Sequence, residues 1–266
     1  MPPTNDNRVP AESSLTAYEN LVAVIRRLRK ECPWDREQTH ESMRHLLVEE
    51  AYEVVEAIEQ GDYEELKKEL GDVALQVIFH SVIAEERDYF SLEAVLEAIT
   101  EKLVQRHPHV FGDTAVAGVQ EVLSNWEEIK RAERRGKSVL ESIPAHLPAL
   151  LSAYRMQEKA ANVGFDFATA EDAWAKVEEE LQEYREAVGT PQAEAELGDV
   201  LFALVNYARR VDINAENALR AANRRFKYRF SYMESQLTSE EMRNTSIEEL
   251  EQYWREAKRR EAAMQS

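Results

Sequence analysis

One arrangement of carboxylates occurs twice in this chain. Glu49, Glu50 and Glu53 precede Glu69 and Asp72; Glu179, Glu180 and Glu183 precede Glu196 and Asp199. Both copies read E-E-x-x-E followed by E-L-G-D, with Glu69 16 positions after Glu53 and Glu196 13 positions after Glu183. Within each motif the spacing is i, i+3 or i, i+4, which stacks side chains on one face of an α-helix. Each copy therefore predicts two helices, and if these are antiparallel neighbours, four or five carboxylates face one another. Like charges so close destabilise the helices and raise one another's pKa. A hard divalent cation relieves both effects, and all-oxygen ligation suits Mg²⁺ or Mn²⁺ rather than zinc. The motifs lack the Glu-x-x-His pairs of di-iron bundles, which argues against a redox site.

The rest of the chain is helical by the same reasoning. Gly and Pro number only 8 each in 266 residues, which favours helix over a turn-rich β fold, and a 44% hydrophobic content suffices for a core. Leu21, Val24, Ile25 and Leu28 form one apolar stripe, ended by Pro33. Gly61 is a natural C-cap, and Asp62 with Glu65 suggests a capping box for the next helix, whose inward face reads Leu66, Leu70, Val73, Ala74, Val77 and Ile78. Ser91 caps a helix that ends before Pro108, and another surrounds Trp126. Gly71 and Gly198 each sit inside an apolar helix beside the motif Asp, which suggests a close approach of helices or of a ligand. Asp35 and Asp166 read as helix N-caps and Cys32 as structural.

The repeat period is near 130 residues, too long for a solenoid and suited to duplicated domains. Further markers recur in the same order. Pro33-Trp34-Asp35 corresponds to Gly164-Phe165-Asp166. Lys102 and Arg106 correspond to Arg225 and Arg229, and Trp126 and Lys130 to Trp254 and Lys258, each pair at i, i+4. The expected organisation is a disordered tail over 1–14, a first domain over 15–135, a linker over 136–148 and a second domain over 149–266. The fold class is all-α, two tandem helical bundles, with dimerisation a common way to complete such bundles.

Charge and composition narrow the partners. A formal charge of −18 argues against a nucleic-acid polymer. It leaves room for nucleotides, because a bound divalent cation inverts the sign of an acidic patch. No apolar run approaches the length of a membrane span, the N-terminus lacks the apolar core of a signal peptide, and the single cysteine accords with a cytoplasmic setting. Carboxylate-held Mg²⁺ completes its shell with substrate phosphates. Lys102, Arg106, Lys130, Arg225, Arg229 and Lys258 then neutralise phosphate oxygens, or else they are surface cations offsetting the acidic surplus. Trp126 and Trp254 serve equally as base-stacking platforms or as core aromatics. His107 and His109 flank Pro108 as expected of a helix-terminating turn.

Cys32-Pro33-Trp34-Asp35, the paired acidic motifs and Lys102 to Phe111 (KLVQRHPHVF) closely resemble the MazG nucleoside triphosphate pyrophosphohydrolases. Ala161 to Asp166 and the second acidic pair resemble the C-terminal MazG domain, so the likeness covers residues 18–260 in order. The resemblance implies an all-α fold, Mg²⁺ dependence, a homodimer and hydrolysis of (d)NTP to (d)NMP and pyrophosphate in nucleotide-pool cleaning. By position it implies Glu49, Glu50, Glu53, Glu69 and Asp72 as metal ligands in one half, and Glu179, Glu180, Glu183, Glu196 and Asp199 in the other. Glu50 or Glu180 is the expected general base. Arg225 stands where the family commonly has Lys and offers a fork rather than a point charge. Two rivals stand beside this reading. One is an all-helical interaction protein without turnover; the other is a narrower dUTP or phosphoribosyl-ATP pyrophosphohydrolase.

Overall fold

Local capping chemistry decides where the helices start. Thr39 and Thr169 each accept a hydrogen bond from the backbone N–H three residues on, while the side chains of Ser42 and Asp172 return one from the cap's own N–H. These reciprocal caps open the two helices that carry E-E-x-x-E. The structure is a computed structural model that describes residues 14–118, 121–122, 125–126, 129 and 138–264. In chain order its helices are α1 (Ser14–Glu31), α2 (Pro33–Glu37), α3 (His40–Gln60), α4 (Tyr63–Glu85), α5 (Leu92–Arg106), α6 (Pro108–Phe111), α7 (Ala149–Ala161), α8 (Ala170–Ala187), α9 (Ala193–Arg210), α10 (Ala215–Gln236), α11 (Ser239–Asn244) and α12 (Ile247–Met264). Among the described residues there is no strand. No helix there is long and apolar enough to cross a membrane. The expected tail lies outside the described residues except for Ser14, which opens α1, and so do Lys130 and the first two residues of the expected linker.

The chain divides into two compact units, Met1–Trp126 and Glu127–Ser266. In the first, α3 and α4 form a hairpin. Gly61, at φ 70°, ends α3 and gives its N–H to Ala57 and Ile58, and Asp62 accepts from Glu64 and Glu65 to start α4. Glu65 does not complete the expected capping box; it pairs with Lys68 at 2.5 Å. The core joins α1, α3, α4 and Leu92 at the start of α5: Val22, Ile25, Met43, Ile78, Phe79, Val82, Ile83 and Leu92 are buried together. Only part of the predicted inward stripe of α4 takes part. Leu70 and Val77 are 52% and 43% exposed, because α4 turns its buried face through Glu69, Gln76 and Phe79 instead.

The second unit repeats the hairpin with α8 and α9, closed by Gly189 at φ 86°. Its core holds Ala173, Val177, Val200, Ala203, Val205, Met233 and Ala257. An apolar stripe on α9, Leu197, Leu201 and Leu204, stays 42%, 47% and 38% exposed.

Asp35 and Asp166 are not N-caps. Asp35 lies within α2, whose N-cap is Cys32, and its carbonyl accepts from the buried Arg29, which also reaches the Gln38 carbonyl at 3.0 Å and Glu86 at 2.5 Å. Asp166 precedes the true cap, Thr169, by three residues and is gripped by Arg209 and by Arg210, the latter at 3.2 Å. In each unit a charged group thus ties down the segment leading into the first acidic helix.

Candidate functional site

The two hairpins assemble the repeated acids into two clusters. In the first unit Glu50, on α3, and Glu69 and Asp72, on α4, place carboxylate oxygens within 4.8 Å of one another. Burial, then the Asp72 charge, then the neighbouring Glu53 and Glu49 raise the pKa of Glu50. Burial and then the Glu53 charge raise that of Glu69. Glu53 and Glu49, both exposed on α3, thus act on the cluster through their charge.

The second unit gathers a different subset, Glu180, Glu183 and Glu196, within the same 4.8 Å. Glu179 and Asp199 stay outside it on exposed faces of α8 and α9. A cation is built in here. Lys176, one turn before Glu180, bonds Glu179 at 2.7 Å and Glu180 at 2.8 Å, and these two hydrogen bonds raise its pKa. The corresponding position in the first copy, four before Glu50, is Leu46. Burial and then Glu180 push the Glu183 pKa up. Three converging carboxylates are a donor set that fits a hard divalent cation.

The expected facing pairs therefore form in part, with three of the five acids of each copy meeting. Of the two reasons expected for Gly71 and Gly198, a close approach of helices or of a ligand, the first is not met among the described residues, since a Cβ added at either meets nothing within 4 Å.

The cationic and aromatic markers sort unevenly. Arg229 on α10 lies 5.5 Å from the Trp254 ring and bonds Glu261 at 2.7 Å. Phe226 packs on Trp254 with centroids 5.3 Å apart. Arg225 and Lys258 are exposed. In the first unit Lys102 is exposed and Arg106 half-buried. The His107 ring sits 6.1 Å from Trp126 and 5.7 Å from His109. Three features escaped the sequence reading. Lys176 carried a legible signal, its i, i+4 spacing to Glu180. Glu261 and a His40–His80 contact, Nδ1 to Nδ1 at 2.8 Å, join different helices and carried none.

With this geometry the comparisons are specific. A family model described as the MazG nucleotide pyrophosphohydrolase domain matches residues 38–111. "Nucleoside triphosphate pyrophosphohydrolase/pyrophosphatase MazG" of Thermotoga maritima is 43% identical over 247 residues, covering 91% of this chain and 95% of that protein. This chain belongs to the MazG family. The "Nucleoside triphosphate pyrophosphohydrolase" of Escherichia coli K12 is 40% identical over 260 residues, 93% of this MazG-family chain and 99% of the relative. A solved structure, "Crystal structure of mazG-related protein from Thermotoga maritima", aligns with 42% of the chain and 98% of its own length at 28% identity and TM-score 0.39. The MazG match spans the whole α3–α4 hairpin and hence the complete first acid set. The two long alignments take in most of the second copy as well.

Proposed function

We infer that this chain is a nucleoside triphosphate pyrophosphohydrolase, converting (d)NTP and water to (d)NMP and pyrophosphate. Near full-length identity to MazG pyrophosphohydrolases carries the reading, and the three-carboxylate cluster in each unit supports it. It favours turnover over the interaction-protein reading. The all-carboxylate donor sets suit Mg²⁺, with Mn²⁺ able to substitute. Glu50, Glu69 and Asp72 would hold an ion in the first unit and Glu180, Glu183 and Glu196 in the second, with Glu49, Glu53, Glu179 and Asp199 as neighbouring ligands. Such an ion, when bound, neutralises phosphate charge and polarises a phosphate oxygen. Glu50 is the general base of the first site, its raised proton affinity suited to taking a proton from the attacking water; Glu180 has that role in the second.

Lys102, Arg106, Lys130, Arg225, Arg229 and Lys258 grip phosphates, and Trp126 and Trp254 stack on the base. The approach of Arg229 to Trp254 supports this pairing of a cation with a ring. The two domains span 15–135 and 149–266, joined by 136–148. A homodimer completes the bundles, a reading favoured by the exposed stripes Leu70/Val77 and Leu197/Leu201/Leu204. The setting is cytoplasmic and the role nucleotide-pool cleaning. Pyrophosphate release from eight (d)NTPs with Mg²⁺ tests the reading on wild type, Asp72→Ala and Asp199→Ala. Release by wild type and its loss in at least one variant are expected; no release by wild type overturns the assignment.

A further inference from the structure

A cavity of about 430 Å³ opens between α3 and α4 in the first unit, bounded by His40, Arg44 and Leu47 on one helix and Gln76, Val77 and His80 on the other. Two buried polar atoms there have no hydrogen-bond partner among the described residues: Oε1 of Gln76, a residue only 2% exposed, and Nε2 of His80. The Nδ1 atoms of His40 and His80 lie 2.8 Å apart with the rings stacked, so one proton is shared between them. Nε2 of His80 is left for another partner. A buried amide oxygen without a donor is costly, and native proteins keep few of them without a reason such as a ligand.

The position of the cavity says which ligand. Gln76 follows Asp72 by one helical turn, and Leu47 precedes Glu50 by three residues, so the cavity continues the faces that carry the acid cluster. A triphosphate held at that cluster would have its nucleoside end within reach. The second copy differs at these places. Four and eight residues after Asp199 stand Ala203, which is buried, and Tyr207, which is half-buried, and six before Glu180 stands Trp174, packed edge-on against Tyr207 with centroids 4.8 Å apart. At the places of Gln76, His80 and Arg44 the second unit has a methyl group and two aromatic rings.

We propose that the cavity of the first unit is a nucleobase pocket in which the Gln76 amide, with Nε2 of His80, reads a base edge bearing an adjacent donor and acceptor, so that the two units differ in base selectivity. The proposal rests on Glu50, Glu69 and Asp72 holding the metal-bound triphosphate. A carboxamide offers one donor group and one acceptor side by side, which pairs with such an edge at two points. Leu47 supplies apolar contact to the ring. A site built to hydrogen-bond its ligand strongly rejects analogues lacking the matching group, whereas an apolar pocket discriminates by shape and less steeply.

The test uses the full chain carrying Glu183→Ala and Glu196→Ala, which remove two of the three carboxylates of the second cluster, with Mg²⁺, and measures binding of eight (d)NTPs and of inorganic tripolyphosphate, with and without Gln76→Leu. Gln76→Leu is expected to weaken the best-bound nucleotide by about ten-fold or more and to narrow the spread across the eight. Tripolyphosphate affinity stays unchanged, and the melting temperature of the metal-free chain rises as an unpaired amide gives way to an apolar group. An unchanged spread, an equal loss for every ligand including tripolyphosphate, or a lower melting temperature overturns the proposal alone. Failure of tripolyphosphate to bind the chain carrying Glu183→Ala and Glu196→Ala overturns the metal-site reading and the proposal with it.

Discussion

Replacing Lys176 by Met removes the cation from the second acid cluster while keeping most of the aliphatic stem. Lys176 lies 2.8 Å from Glu180, with side chains 37% and 10% exposed respectively. The gross Coulomb attraction at that distance is about 6 kcal/mol at an effective dielectric constant of about 20. Solvent at the lysine and the entropy of ordering two side chains cancel most of it. Exposed pairs net about 0–1 kcal/mol, and breaking a fully buried pair costs about 3–5 kcal/mol. With one partner a tenth exposed and the other more than a third, Lys176→Met should destabilise the metal-free second unit by about 1–2 kcal/mol. That is a fall of roughly 3–6 °C in its melting transition. Mg²⁺ should reverse the loss. In wild type the ion must displace Lys176 from Glu180, whereas in the variant it meets free carboxylates. Saturating Mg²⁺ should therefore add more stability to the variant than to wild type, by about the same 1–2 kcal/mol, through the mass-action term of ligand binding. Thermal melts in chelator and in Mg²⁺ measure both quantities, with Asp72→Ala silencing the first cluster. Equal metal-induced shifts in the two proteins would refute the idea that Lys176 holds the place of the ion.

Two further outcomes follow from the clusters. Glu50 and Glu69 have folded-state pKa values raised above that of an ordinary glutamate, so each contributes stability that is complete below the ordinary value and is lost as pH rises through the folded one. In chelator, Glu50→Gln should melt higher than wild type near neutral pH, and the difference should shrink as pH falls towards the carboxylate range; a pH-independent difference would count against mutual repulsion as its cause. Gly198→Ala places a methyl group where nothing of the chain lies within 4 Å, so helix propensity alone should stabilise the dilute metal-free protein by about 0.5–1 kcal/mol. A drop in its melting temperature would mean that something outside the chain fills that space.

The helices were legible because their signals are local. Gly61, Ser91 and the i, i+3 and i, i+4 acids announce boundaries and faces within one or two turns. The Thr39 and Thr169 caps are equally local, yet their box partners are Ser42 and Asp172 rather than the usual Glu or Gln, and the nearby Asp35 and Asp166 offer the same capping chemistry. What depended on rotation between helices was not legible. The spacing placed five acids per copy on two helices, but which three converge is set by the packing of each hairpin, and the two hairpins choose differently. The outward turn of Leu70 and Val77 has the same origin, because a mean apolar stripe does not say which part of it a short hairpin leaves uncovered. Gln76 and His80 carried no sequence signal at all; their interest lies in what they fail to contact.

The anchors before the two acidic helices bear opposite charge. In the first unit a buried arginine, Arg29 of α1, grips the carbonyls of Asp35 and Gln38; in the second an aspartate, Asp166, is gripped by Arg209 and Arg210 at the end of α9. Each entry segment is therefore keyed to a lock on a different helix of its own unit. The halves descend from one pattern but are no longer interchangeable parts. Grafting the 32–39 segment onto the second hairpin would bring Asp35 to the place of Asp166, but within a helical turn rather than in the non-helical entry that Arg209 and Arg210 grip, and the reverse graft would remove the turn of α2 that presents the Asp35 and Gln38 carbonyls to Arg29. Recombination between the copies is constrained to exchange segment and lock together, which helps duplicated halves to drift apart in sequence while each keeps its own hairpin in register.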